Sequence, residues 1–197
     1  DIITIICIVI IAIAVTPKSF QNDTFYNIKC GNYIFEHGVT NIAHDPFSWH
    51  NLPYSWPHWL YDLLTYVFYA MCGRFWTTGI YVLTMILTAI LGFSIYKTSL
   101  KLTNKNRIVS GLASLFALYL LKPYIAARAQ LVTFILFVWE IFFIEKLLET
   151  NKKRYGLALL FIAFLIVQLH CAVFPMFFVF ALPYLAEFVF IVLSDLK

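Results

Sequence analysis

The chain alternates apolar runs, each close to the length of a membrane crossing, with short basic ties, and it breaks that alternation once, in a polar and aromatic-rich stretch over residues 20–72. A bilayer core of about 30 Å takes roughly 20 apolar residues of helix. Within it every backbone N–H and C=O must find a partner, which leaves only helices and closed barrels. Unbroken apolar runs, rather than two-residue alternation, select helices. Composition points the same way: 62% hydrophobic residues and 12% charged ones lie outside soluble globular usage. The expected fold class is all-α, a polytopic transmembrane helix bundle with a large first outer loop containing two interfacial amphipathic helices.

One domain is expected over residues 1–197, with spans at about 2–15, 76–96, 108–121, 129–144, 155–174 and 176–193 and an outer loop at 16–75. The net charge of +4 is no argument for nucleic acid, because the basic residues sit in blocks between apolar runs. Lys97, Lys101, Lys105 and Arg107 form one block; Lys146, Lys152, Lys153 and Arg154 form the other. Both fall on the same side of the expected topology, which the positive-inside rule makes cytoplasmic. Membrane lipid is the expected surrounding, with residues 16–75 facing outward. The first run is short for a span, and the abrupt start at Asp1 and end at Lys197 read as a fragment truncated at both ends. A cleaved signal peptide is the rival reading, and it lacks a basic n-region and a small-x-small site.

Inside the polar stretch, residues 23–37 adopt a helical period: Phe25, Ile28, Ile34 and Phe35 are apolar against Asn27, Lys29, Asn32 and Glu36. That pattern fits a helix lying in the interface, weakened by Gly31 and closed by Gly38. Residues 40–57 have loop chemistry, and Trp49, Trp56 and Trp59 suit the headgroup level. Pro57 starts a second interfacial helix over residues 58–71 with Asp62 embedded; a tilted or re-entrant span is the alternative. The cysteines, Cys7, Cys30, Cys72 and Cys171, show no metal-ligand spacing and read as ordinary thiols, with a Cys30–Cys72 disulfide as the alternative.

This topology gathers the five histidines, Asp23, Asp45, Lys122, Arg128, Gln130 and Gln168 at the outer face. A carboxylate such as Asp23 at a membrane rim can take a proton from a hydroxyl as a general base. It can equally cap a helix N-terminus. Asn22-Asp23-Thr24 is also a glycosylation triplet, meaningful only in a eukaryotic secretory context. Arg128 beside Gln130, with Lys122 nearby, suits a phosphate that guanidinium grips in a fork; snorkelling to headgroups is the plain alternative, and for Lys122 the preferred one. Gln168 and His170 stand two apart and cannot share one helix face, so one can face a site while the other pairs with a neighbouring helix. His37, His44, His50 and His58 are irregularly spaced, which leaves a divalent-metal site only weakly supported; no cofactor is expected.

The run from Asp23-Thr24-Phe25-Tyr26-Asn27-Ile28-Lys29 through Gly31, Ile34 and His37-Gly38 is followed by Asp45-Pro46-Phe47-Ser48-Trp49 and Trp56-Pro57-His58-Trp59-Leu60. Together with Arg128-Ala129-Gln130 and Gln168-Leu169-His170, it resembles the C-type polytopic membrane glycosyltransferases, bacterial relatives of the protein O-mannosyltransferase and aminoarabinose transferase group. Where many of these carry a paired acidic motif, this chain has Gln21-Asn22-Asp23, and Tyr26-Asn27 stands in place of a Trp-His pair. The resemblance implies transfer of a sugar from a polyprenyl-phosphate carrier to a hydroxyl acceptor of unknown identity at the outer face of a bacterial inner membrane. It makes Asp23 the catalytic base and Arg128, with Lys122, the holder of the lipid phosphate, and it brings Gln130, His170 and His58 to the substrate. A non-catalytic binder or transporter of a lipid-linked saccharide, or an inactive homologue in a membrane complex, is the alternative.

Overall fold

The computed structural model describes residues 1–39, 44–47, 49–50 and 52–195; Ser48 of the expected turn and Lys197 of the expected inner end lie outside the described residues. Among the described residues the chain forms eight α-helices and no strand, only an isolated bridge between His44 and Pro53. The helices are α1 (Ile2–Val15), α2 (Asn22–His37), α3 (Trp59–Met71), α4 (Trp76–Leu102), α5 (Arg107–Leu121), α6 (Ala129–Thr150), α7 (Lys153–His170) and α8 (Pro175–Asp195).

Among the described residues three stretches are long and apolar enough to cross a membrane: Thr77–Leu102, Lys153–Val173 and Pro175–Ser194. The 14 residues of α1 and the 15 of α5 make shorter rods. Helix α6 is long enough but carries Glu140, Glu145, Lys146 and Glu149. Helix α4 continues beyond residue 96, where the basic block begins, because lysines on a helix surface do not break it. Lys97 lies over the Phe93 ring and Lys101 pairs with Glu149 at 3.1 Å. The chain turns only at Asn104 and Lys105, both in the left-handed region at φ 51° and 68°.

Helix α4 is the hub, packing on α1, α3, α5 and α6, while α6 also packs on α7 and α8. The core runs through Leu83, Leu87, Leu91, Leu131, Ile135 and Ile166. Hydroxyls on α4 close onto their own helix: Thr84 donates to Ile80 O at 2.9 Å and Thr88 to Thr84 O at 2.8 Å. That keeps polar atoms satisfied on an otherwise apolar rod. Ser114 of α5 donates to Gly92 O of α4 at 2.6 Å, and Tyr81 of α4 to Ile13 O of α1 at 3.2 Å. The bundle has two chemically distinct ends. Arg107–Asp1 and Lys101–Glu149 pairs join helix termini at one end; the other end carries α2 and α3.

The approach of α2 to α3 is set by Gly31. A Cβ there would stand 2.1 Å from Asp62 O and 2.6 Å from Tyr66 Cβ. A second close approach lies on the far side of α3, where a Cβ on Gly79 of α4 would stand 2.1 Å from Phe68 O. Helix α3 is thus held between two glycines, and Gly31, a weakness for an isolated helix, is what lets these helices touch. Helix α2 ends at Gly38, φ 76°, whose N–H reaches Ile34 O at 2.8 Å. Cys30 and Cys72 are both free thiols, so the disulfide alternative is not realised.

Two stability measurements follow. Gly31→Ala drives a methyl into backbone, so the midpoint of thermal unfolding falls, at a cost of about 1–3 kcal/mol. Glu140, fully buried with neither carboxylate oxygen hydrogen-bonded, has the opposite sign: Glu140→Met raises that midpoint by removing a buried group whose unmet hydrogen bonds cost roughly 1–3 kcal/mol.

Candidate functional site

The end of the bundle that carries α2 and α3 holds a cavity of about 220 Å³ lined by Asp23, Tyr26 and Asn27 of α2, His58, the stretch from Arg128 to Gln130, and His170. Residues more than a hundred positions apart meet there. Five of the six side chains singled out from the sequence are on its wall: Asp23, His58, Arg128, Gln130 and His170. The sixth, Lys122, sits exposed in the short turn that follows α5 and is not on the wall.

Local structure explains the convergence. Residues Ile125, Ala126, Ala127 and Ala129 are buried, and the small side chains of the three alanines let the bent lead into α6 run close to α2. Thr24 donates to Ala127 O at 3.2 Å, fixing that crossing. Arg128 is the N-cap of α6 in extended conformation, φ −137°, which turns its side chain out of the helix and toward α2. Helix α7 is tied to the start of α3 twice: Cys171 N–H reaches Pro57 O at 2.7 Å, and Trp59 Nε1 donates to Gln168 Oε1 at 2.9 Å. Gln168 therefore pairs with a neighbouring helix and His170 faces the cavity, the divergence that a two-residue spacing requires.

Asp23 occupies the first turn of α2, but the N-cap is Gln21 and no side chain caps the helix. The Asp23 carboxylate instead accepts from Arg128 Nη2. Both side chains are substantially exposed, 60% and 40%, so the pair is screened by water and open to exchange with another anion. Arg128 Nε is buried without a partner, a donor left over on the same guanidinium.

Beneath this pair lies the carboxylate of Asp62, the acid embedded in the expected second interfacial helix and not among the six candidate site residues. Asp62, 1% exposed, has both oxygens 2.9 Å from His58 Nδ1. Asn27, with its amide NH₂ turned toward these acceptors, donates to Asp62 Oδ1 at 3.2 Å and to Asp23 O at 3.1 Å. An ionised carboxylate only accepts, so His58 Nδ1 carries the proton and Nε2 keeps its lone pair. Burial works against protonated His58, but the Asp62 carboxylate outweighs it and holds the imidazole above its ordinary range. Burial lifts Asp62 above the usual carboxylate range, and His58 pulls it part of the way back. The signal available in the sequence was the i, i+4 spacing of His58 and Asp62 just after Pro57.

On the opposite wall, Thr133 Oγ1 donates to Ala129 O at 3.1 Å and so accepts from His170 Nδ1 at 2.9 Å. Tyr26 is braced by the polar stretch, through Tyr54 OH at 3.3 Å and the edge of Phe47 at 6.0 Å. Desolvation, aided by Tyr26 bonding to Tyr54 and Cys30, drives the Tyr26 phenol far up, and burial pushes the Cys30 thiol up to about 12, so neither is an acid or a nucleophile near neutral pH. Trp56 stacks with Tyr33 at 6.3 Å, and Asp45 Oδ1 receives Phe47 N–H at 2.9 Å in a local turn.

No group of three His, Cys, Asp or Glu side chains is arranged to hold a metal ion among the described residues. His37 stacks on Tyr33 and bonds Tyr33 O at 3.0 Å, and His50 packs on Trp49. Compared with protein-family models, curated proteins and solved structures, the chain matches none. What the arrangement offers chemically is an exchangeable guanidinium at the mouth and two imidazoles, each with Nδ1 held by a neighbour and Nε2 left over, inside a small polar cavity.

Proposed function

We propose that the protein is a membrane glycosyltransferase that moves a sugar from a polyprenyl-phosphate carrier to a hydroxyl acceptor in this cavity. The observation that carries the reading is the gathering of Asp23, His58, Arg128, Gln130 and His170 around one cavity at one end of an apolar bundle. In this reading the bundle crosses the bilayer with α1 and α4 to α8, and α2 and α3 lie in the interface. The basic blocks face the cytoplasm, and the cavity opens at the outer leaflet, of the inner membrane in a bacterium. A lipid carrier reaches such a mouth from the membrane plane with its phosphate at headgroup depth.

Arg128 takes the phosphate. Its guanidinium exchanges an exposed carboxylate for the carrier's phosphodiester anion and then stabilises the second charge that develops on the departing polyprenyl phosphate. Gln130 and His170 supply neutral polar contacts to the sugar. The acceptor hydroxyl needs a proton acceptor on the wall. Asp23, the acid offered by the family resemblance, becomes available once the phosphate displaces it from Arg128, and His58 stands in the same cavity. The polar side chains that line the cavity lie at one end of the bundle, which supports chemistry at a rim over passage of a saccharide across it.

The test is the full chain in liposomes with radiolabelled polyprenyl-phosphate hexoses, scored by release of polyprenyl phosphate with water or sugar hydroxyls as acceptor. Release by the wild type, and a fall in kcat/KM of about 10²–10³-fold in Arg128→Ala, are expected. Exchange of intact donor between leaflets without release would replace this reading with the transporter one.

A further inference from the structure

Resting on that reading, we infer that His58 is the group that takes the acceptor proton and that Asp62 is its positioning residue, a buried histidine–carboxylate dyad built into the first turn of α3. Three observations carry this. First, His58 Nδ1 is held by both oxygens of Asp62 at 2.9 Å, which fixes the ring and leaves Nε2 for the cavity that His58 lines. Second, Asp62 is itself fixed: it is 1% exposed, bonded by Asn27, and its backbone is locked against Gly31. An orienting carboxylate that cannot reach the cavity serves no other chemistry there. Third, Asp23 is 60% exposed at the mouth and its carboxylate is held by Arg128, so a phosphate that takes Arg128 also removes the contact that fixes Asp23.

The groups around the imidazole favour this division. Asp62 lies behind it, Asp23 and Tyr26 face it from α2, Arg128 from the lead into α6, and His170 from α7. The carboxylates favour the imidazolium that forms on proton transfer, and Arg128 and His170 oppose it. When a phosphate covers Arg128, that opposition weakens. On transfer the acceptor O–H bond breaks and its proton goes to His58 Nε2. The acceptor oxygen bonds to the anomeric carbon as the bond from that carbon to the phosphate oxygen breaks, and the electron pair leaves on polyprenyl phosphate, held by Arg128. A general base contributes most when its acidity lies near the working pH, the range of an imidazole rather than of an exposed carboxylate.

The experiment compares wild type, His58→Gln, Asp62→Asn and Asp23→Asn in liposomes, reading kcat and donor KM for release of polyprenyl phosphate across pH 5–9. His58→Gln should lower kcat by about 10²-fold or more, leave donor KM within a few fold, and abolish the rise of kcat with pH. Loss of the carboxylate in Asp62→Asn destabilises the imidazolium, so the rising limb moves to lower pH while kcat falls. In Asp23→Asn the limb persists and donor KM changes through Arg128. A rising limb that survives in His58→Gln, or disappears in Asp23→Asn, overturns the assignment. Two readouts need no turnover. The ¹⁵N shifts of the wild-type His58 ring should show the proton on Nδ1, and carbethoxylation of His58, followed by mass spectrometry, should reach half-rate at lower pH in Asp62→Asn. A proton on Nε2, or an unmoved profile in a folded variant, overturns the dyad. A wild type that releases no polyprenyl phosphate removes the transferase reading and the proton-acceptor role with it, and the ring readouts still decide whether Asp62 holds His58.

Discussion

The contact on which the site depends is the crossing of α2 and α3 at Gly31. With no side chain at that position, Asp62 O can sit where a Cβ would be. That proximity brings Asn27, one turn earlier on α2, within reach of the Asp62 carboxylate. His58 lies one turn before Asp62 on α3 and shares the same carboxylate. Asp23 lies one turn before Asn27 and presents its carboxylate to Arg128. A single close approach between two short helices therefore sets the positions of four polar side chains by helical repeat alone.

The two ion-pair sites have opposite physical characters. Asp23 and Arg128 meet at the exposed rim, where water screens the charges and exchange with a competing anion is easy. His58 and Asp62 meet where the carboxylate has lost its water, so its remaining partners determine its charge state. A charge in the second environment costs desolvation whenever its partner is removed, which makes the dyad a fixed part of the fold. The first is suited to a group that arrives and leaves; the second is suited to holding a ring in one tautomer.

Much of the fold was legible in the sequence because hydropathy is local. Apolar runs marked α1 and α4 to α8, the helical period marked α2, and Gly38 marked its end. The helix ends were less legible: α4 passes through Lys97 and Lys101, since charge on a helix surface is no stop signal and the actual stop needs the left-handed pair Asn104 and Lys105. Sorting polar side chains to one end of a topology gathers Asp23, His58, Arg128, Gln130 and His170, which line the cavity, together with Asp45, Lys122, Gln168 and three further histidines, which do not. Sorting cannot reveal pairing. Asp62 looked like a misplaced charge because its meaning lies in a neighbour one turn away and in a glycine on another helix. Asp23 looked like a cap because nothing local announces a guanidinium 105 positions later.

Gly31 also shows how a local rule and a global one can conflict, and which prevails. In an isolated helix glycine costs about 1 kcal/mol relative to alanine, so by propensity alone α2 would be better with a side chain there. The cost is accepted because a side chain there would run into Asp62 O, displace α3 and draw the buried Asp62 carboxylate away from Asn27. Forcing a methyl into packed backbone costs about 1–3 kcal/mol, at or above the helix penalty. The weaker helix is thus the more stable bundle, and the same residue that lowers the helical signal of α2 in the sequence is the one that assembles the polar end of the molecule.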